Sequence, residues 1–406
     1  MSSSSHAISV HLDHTLLVSG CPVEGAVELN FRDLQENGIQ EVHLKLRGII
    51  RTENVSNSPT GIKTIELARD DASIWCLGGA YPMPGSDTLR IPFRLQLPSD
   101  VPPSFHYDRH SRKGAIRYAI TAVGTRSGAL HLNRRARVSL AVVPKDAMGV
   151  GIREKFALMA ATGTDTEWRT ERREEKMRRG LWGDYATAQV ELQVPKTSVF
   201  PLYVPIPFVI KIRTSSPPLT RAKADAHPPG EPVFPQVPTT YSAIQLKLHR
   251  KVFIKATSLR DKVPSDVVVS FKPHGDPDSV LIENVPPLRW VSLGDSNGEK
   301  NKNTGGDSDA NAMGTWVQEA AFRSTFHLDC PPTFTSDLMK CDYELVLKVP
   351  FLGVGNDVSL VMPITVTSGI DAPMNRDQPD SVSGPLDLPP AYWDAGDHEW
   401  EEDLKA

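Results

Sequence analysis

The sequence predicts an all-β chain: two tandem immunoglobulin-like β-sandwiches, a short linker helix between them, and a disordered C-terminal tail. Three observations carry this. Apolar and polar residues alternate with period two in segment after segment, as in strands with one buried and one wet face. Proline is abundant, 34 of 406 residues, or about 8% against roughly 5% in average chains, and proline breaks helix interiors. The strand pattern also starts again halfway along, and 406 residues is a length for two or three domains.

The first half alternates at Ile8–Val10–Leu12, Val27–Leu29–Phe31, Val42–Leu44–Leu46, Phe93–Leu95–Leu97, Ile116–Tyr118–Ile120 and Val138–Leu140–Val142. The second opens with strands at Gln189–Val194 and Phe208–Thr214. Two of its pieces repeat pieces of the first. LKLRGIIRT from Leu44 resembles LKLHRKVFIKA from Leu246. PPSF from Pro102 followed by a strand at Tyr118 resembles PPTF from Pro331 followed by a strand at Tyr343. The order is the same in both halves, which reads as two related sandwiches. The repeated PP strings lack a following tyrosine at motif spacing and read as structural corners.

Between the halves, Thr164-x-x-Glu167 forms a capping box, WRTERREEKMRR follows, and Gly180 supplies a C-cap. Glu174–Arg178 and Glu175–Arg179 are favourable i,i+4 pairs. The spacing predicts a helix over 165–179. Its apolar face is little more than Trp168 and Met177, so it reads as a solvated linker rather than a membrane-binding helix. The expected boundaries are 1–150 for the first domain, 151–185 for the linker, 186–368 for the second domain and 369–406 for the tail. Residues 214–238, rich in proline, and 295–314, polar and of low complexity, read as disordered insertions.

Several classes fall away. No run of 18 apolar residues marks a membrane span, and the N-terminus lacks the basic start and apolar stretch of a secretory signal. Cys21, Cys76, Cys330 and Cys341 are widely spaced, as in a reduced intracellular protein. Residues 371–406 hold ten acidic and two basic residues, a net of −8. A whole-chain charge of −4 therefore leaves +4 on the body, too little to imply nucleic acid binding. No GxSxG, HExxH, P-loop or kinase string occurs. Gly149-Val-Gly151 lacks the third glycine of a dinucleotide fingerprint. His106, Asp108 and His110 alternate on one potential strand face, but they read as polar loop residues rather than metal ligands. No catalytic, cofactor-binding or metal residue is assigned, and the expectation is a non-enzyme.

Taken together, these segments resemble the α-arrestin family of trafficking adaptors. The resemblance rests on the strand pair at Gly25–Phe31 and Val42–Arg51, on FRLQLPSDVPPSF with GAIRYAITAVG, on VELQVPKTSVFPLYVPIPFVIKI, and on YELVLKVPF with VSLVMPITV. It spans most of residues 8–368 and implies two arrestin-type β-sandwiches.

The tail carries the remaining signal. Leu388-Pro389-Pro390-Ala391-Tyr392 is a PPxY string in an acidic stretch. Its two prolines preset the polyproline II conformation, so little chain entropy is lost on docking to the aromatic groove of a WW domain. Tyr392 fills a second pocket with its ring while its hydroxyl stays hydrogen-bonded. In α-arrestins this motif recruits WW-domain HECT-type ubiquitin ligases, while the arrestin body selects membrane protein cargo. The resemblance implies that role here, with Leu388, Pro389, Pro390 and Tyr392 as the partner-binding residues, a cytoplasmic location and recruitment to plasma membrane or endosomes; peripheral membrane contact is a further expectation, separate from the resemblance. A sorting scaffold that works without a ligase is the alternative.

Overall fold

The computed structural model of the protein describes residues 7–54, 61–109, 112–127, 132–162, 167–180, 184–228, 230–255, 261–262, 266–271, 282–293, 311–353 and 355–374. It is an all-β chain with a few helices.

The first half holds β1 (Ile8–Leu12), β2 (Leu16–Val18), β3 (Pro22–Asn30), helix α1 (Phe31–Glu36), β4 (Ile39–Asn54), β5 (Ile62–Cys76), β6 (Thr88–Gln96), β7 (Phe105–Arg109), β8 (Arg112–Arg126) and β9 (Arg134–Val143). Helix α2 (Ala147–Thr162) follows, then β10 (Trp168–Met177). The second half runs β11 (Ala186–Pro195), β12 (Phe200–Pro201), β13 (Ile206–Ser215), β14 (Leu219–Thr220), α3 (Arg221–Asp225), β15 (Gln245–Ile254), β16 (Asp261–Lys262) and β17 (Asp266–Phe271). It closes with β18 (Ile282–Asn284), β19 (Arg289–Ser292), β20 (Met313–Phe326), β21 (Phe334–Thr335), β22 (Met339–Val349), β23 (Val358–Ile364) and β24 (Val366–Thr367).

The strand order repeats. An antiparallel set β1-β3-β6 in the first half matches β11-β13-β20 in the second. A larger sheet β5-β4-β8-β9 with β7 on β8 matches β17-β15-β22-β23 with β21 on β22. Each half also has one short parallel pair, β2 on β9 and β12 on β24. Alternation explains the core. Val23, Val27 and Leu29 of β3, Leu44 and Leu46 of β4, and Tyr118 and Ile120 of β8 are buried in one cluster. It continues through Leu246, Leu248, Tyr343 and Leu345 in the second half.

The structure corrects the linker. Residues 168–177 are not helical; they form edge strand β10, paired over its whole length with β11 from Trp168↔Pro195 to Met177↔Ala186. The charges pair along and across strands instead of around a helix. Arg173 reaches Glu175 at 2.7 Å, Arg169 reaches Glu171 at 3.4 Å, and Arg172 bonds Gln189 across to β11. An isolated helix of this length is marginal, and its thin apolar face gains little by packing. An existing sheet edge satisfies its backbone outright, and a charged edge resists further pairing. Thr164 of the expected capping box lies outside the described residues.

The helix lies upstream as α2, within which Gly149 and Gly151 fall. Phe156 is buried and faces the Phe200 ring at 6.4 Å, with Ile152 and Met159 packed beside it.

The proline-rich stretch 214–238 is likewise more ordered than expected, apart from residue 229, which is outside the described residues. Thr220 caps α3 by accepting a bond from the Lys223 amide, and Arg221 donates its amide to the Ala312 carbonyl. Ala224 and Val237 are buried. Prolines remove backbone donors that a packed loop would otherwise have to satisfy. Of the expected insertion at 295–314, residues 295–310 lie outside the described residues, and Met313 and Gly314 already belong to β20. Residues 369–374 of the expected tail are placed, as described below. No described helix is long and apolar enough to cross a membrane.

Candidate functional site: the junction of the halves and the tail exit

The repeated PP strings are corners, and they meet. The Tyr118 hydroxyl donates to the Pro102 carbonyl at 2.7 Å, and the Tyr343 hydroxyl donates to the Pro331 carbonyl at 2.8 Å. Burial pushes both phenols above their ordinary range, so both remain protonated donors. The register agrees as well. Phe105 pairs with Ile116, two residues before Tyr118, and Phe334 pairs with Cys341, two residues before Tyr343. The two repeated phenylalanines touch edge to face, with ring centroids 5.1 Å apart.

The residue facing each tyrosine differs. On β4, Gly48 pairs with Tyr118; a Cβ there would lie 2.5 Å from the ring. On β15, the same position is Arg250, paired with Tyr343. Its guanidinium crosses to the first half, 5.5 Å from the Phe105 ring centroid and 5.3 Å from that of Tyr107. Buried Thr52 adds a direct bond between the halves, its hydroxyl donating to the Lys255 carbonyl at 3.1 Å.

The chain leaving β24 returns to the first half. Ser368 Oγ donates to the Pro144 carbonyl at 2.7 Å. The Gly369 amide donates to Asp146 Oδ2 at 3.1 Å, and the Asp146 amide donates to the Ile370 carbonyl at 2.9 Å. Gly369 has φ +64°, and a Cβ there would lie 2.6 Å from Pro201, so the crossing needs glycine twice over. Ile370 is buried with Leu16, Val18 and Val143 in a second apolar cluster. Met374 then bonds β2 antiparallel, its amide donating to the Leu16 carbonyl at 3.0 Å and its carbonyl accepting from the Leu16 amide at 3.1 Å. Sequence reasoning missed this strap: nothing in 368–374 alternates, and its partners lie some 220 to 360 positions away.

Leu388, Pro389, Pro390 and Tyr392 lie outside the described residues, as does all of 375–406. The strap fixes where their segment starts. From Met374 to Leu388, fourteen residue steps span at most about 50 Å.

The remaining sequence candidates are placed as follows. His110 lies outside the described residues, and no group of three metal-ligating side chains occurs among them. His106 sits beside Arg117, Lys113 and Arg250. Burial, then Arg117, pushes its pKa down, so the neighbourhood disfavours a cation. Asp108 pairs with Lys113 at 3.6 Å. The four cysteines are free thiols. Burial pushes Cys330 up and Cys341 up to about 12, which keeps both inert. A groove of about 450 Å³ between α1 and the 81–87 loop is lined by Phe31, Arg32, Tyr81, Met83, Ser86 and Asp87; Asp87 pairs with Arg32 at 3.2 Å, and the Ser86 hydroxyl bonds to Thr88.

No family model matches the chain, and no curated protein matches it in sequence.

Proposed function

We propose that this chain is an adaptor of the α-arrestin kind, linking membrane protein cargo to a WW-domain HECT-type ubiquitin ligase. The observation that carries this is Leu388-Pro389-Pro390-Ala391-Tyr392, placed in an acidic segment behind an all-β body. The body supports the reading through its repeated strand order and its matched tyrosine–proline corners. The strap supports it by keeping the start of the tail on the first half, so that the motif has a bounded reach from the body. The body holds cargo while the tail docks its prolines in an aromatic groove and Tyr392 in the adjoining pocket. One short motif binds at about micromolar strength, near −8 kcal/mol, and gains effective concentration when both partners gather at one membrane.

The test is a pull-down of the full chain with isolated WW domains. Tyr392→Ala abolishes capture and leaves the melting temperature unchanged. Equal capture of the variant sinks the reading and leaves a ligase-independent sorting scaffold.

A further inference from the structure

One residue, Asp146, is bonded to two elements at once. Its Oδ1 accepts from the Gly149 amide at 2.8 Å, capping the N-terminus of α2, and its Oδ2 accepts from the Gly369 amide at 3.1 Å. Its own amide donates to the Ile370 carbonyl at 2.9 Å, and its carbonyl accepts from the Val150 amide at 3.3 Å. The first turn of α2 and the strap that leaves β24 therefore share a single carboxylate.

The two backbones also meet beside it. A Cβ on Gly149 would run into the Asp146 carboxylate and lie 3.0 Å from the Gly369 Cα, and a Cβ on Gly369 would lie 2.6 Å from Pro201 of β12. Glycine weakens a helix relative to alanine, so Gly149 serves the contact with the strap at the expense of the helix. Gly151, one position further than its neighbour Val150, is exposed, and a Cβ there would meet nothing within 4 Å.

These contacts close a ring. Phe156 of α2 packs on Phe200 of β12, with ring centroids 6.4 Å apart. β12 pairs with β24 at Phe200↔Val366 and Pro201↔Thr367, and β24 runs into the strap, which returns to Asp146. Past that point the strap rests on Ile370, packed with Leu16, Val18 and Val143 in a small cluster separate from the main core, and on the two backbone bonds between Met374 and Leu16. Few buried apolar groups oppose its opening, which places it among the weakly held parts of the fold.

We propose that α2 and the strap 368–374 form one latch, clasped by Asp146, that opens as a unit while the strands of both halves stay folded. Departure of the strap removes the donor to Asp146 Oδ2, the acceptor of the Asp146 amide and the backbone that covers Gly149. Fraying of the first turn of α2 moves Asp146 and takes two bonds from the strap. Each element thus holds the other. With the latch open, the tail begins beside β24 rather than at Met374, about six residue steps earlier, which adds at most about 20 Å to its reach. The latch is a property of the body and does not rest on ligase recruitment.

The experiment is hydrogen exchange read by mass spectrometry on the purified full chain, comparing α2 and the strap with β4 and β8. In the unaltered chain α2 and the strap share a level of protection below that of β4 and β8. Gly151→Ala strengthens the helix without meeting a neighbour, so exchange slows about fivefold in α2 and by the same factor in the strap. Gly149→Ala favours an isolated helix equally but collides with Asp146 and Gly369, so exchange rises about tenfold in both segments. Asp146→Asn leaves one amide facing a donor and raises both by a similar factor. β4 and β8 are unchanged in all three variants. Protection of α2 alone by Gly151→Ala overturns the proposal, and that exposed site leaves the fold intact even where the other variants disturb it. So does a Gly149→Ala protein protected as Gly151→Ala is, or an Asp146→Asn protein loosened in only one of the two segments.

Discussion

The two halves share a strand order, a pair of tyrosine–proline corners and one short parallel pair each, yet they differ at the residue facing the corner tyrosine. In the first half Gly48 clears space for the Tyr118 ring, and the pair completes a local core. In the second half Arg250 fills that position and extends over Phe105 and Tyr107 of the other half. The corner itself is kept because its hydroxyl satisfies a buried proline carbonyl, which is costly to leave unpaired. The opposite position is free to diverge, and there the second half has gained an arm that holds the first. The halves share a strand order, and they are joined both by a repeated residue, Phe105 against Phe334, and by a departure from symmetry, Arg250 over Phe105 and Tyr107.

The largest expected effect comes from breaking the place where the repeats meet. Phe105→Ala and Phe334→Ala each remove a buried ring and should cost about 3–5 kcal/mol in urea unfolding. The rings touch at 5.1 Å, so the double variant should cost less than the two single costs together, by about 0.5–1.5 kcal/mol. Strict additivity would mean that the contact between halves contributes nothing of its own.

The glycine–arginine exchange sharpens the comparison at smaller cost. Gly48→Ala places a methyl 2.5 Å from a ring that is 1% exposed and cannot swing away, and also 3.0 Å from the Ala68 side chain. It should destabilise by about 1–3 kcal/mol. Arg250→Ala removes a cation over two rings and should cost about 1–2 kcal/mol. The two variants should also differ in kind. Gly48→Ala loosens the first half alone, while Arg250→Ala raises amide exchange on β7 as well as on β15. An Arg250→Ala protein with exchange changed only in the second half would deny the arm its role.

The same contrast explains what the sequence could show. The strands at Val42–Leu46, Ile116–Ile120 and Gln189–Val194 were legible because one face is buried and the other wet, which writes period two into the residues. The corners were legible because they occur twice. Strand β10 was not: an edge with both faces largely in water has no alternation, and its charges fit a helix equally well. Helix α2 was missed for the opposite reason, since its apolar residues are spread round the helix and leave no one-sided pattern. The strap from Ser368 to Met374 was invisible because its bonds are mostly backbone bonds, which any sequence can make. Of the candidate site, the PPxY string is read directly from the residues, whereas the exit point of its segment emerged only from the fold.

The smallest effect concerns His106, which borders the junction and has no counterpart in PPTF, where Thr335 follows Phe334. Burial, with Arg117 nearby, lowers its pKa below 6.5, while Asp108 opposes the shift. The folded protein thus holds the neutral imidazole, and the unfolded chain takes up a proton first as pH falls. Stability from this group is full above pH 6.5 and declines on acidification toward the lower folded value. The side chain is only partly buried, so solvent screens the effect. His106→Gln should flatten the stability profile between pH 6.5 and the onset of carboxylate titration, measured by urea midpoints, and leave the midpoint at pH 8 nearly unchanged. An unaltered slope in the variant would place the titrating group elsewhere, and the junction would then be insensitive to the histidine that the first corner has and the second lacks.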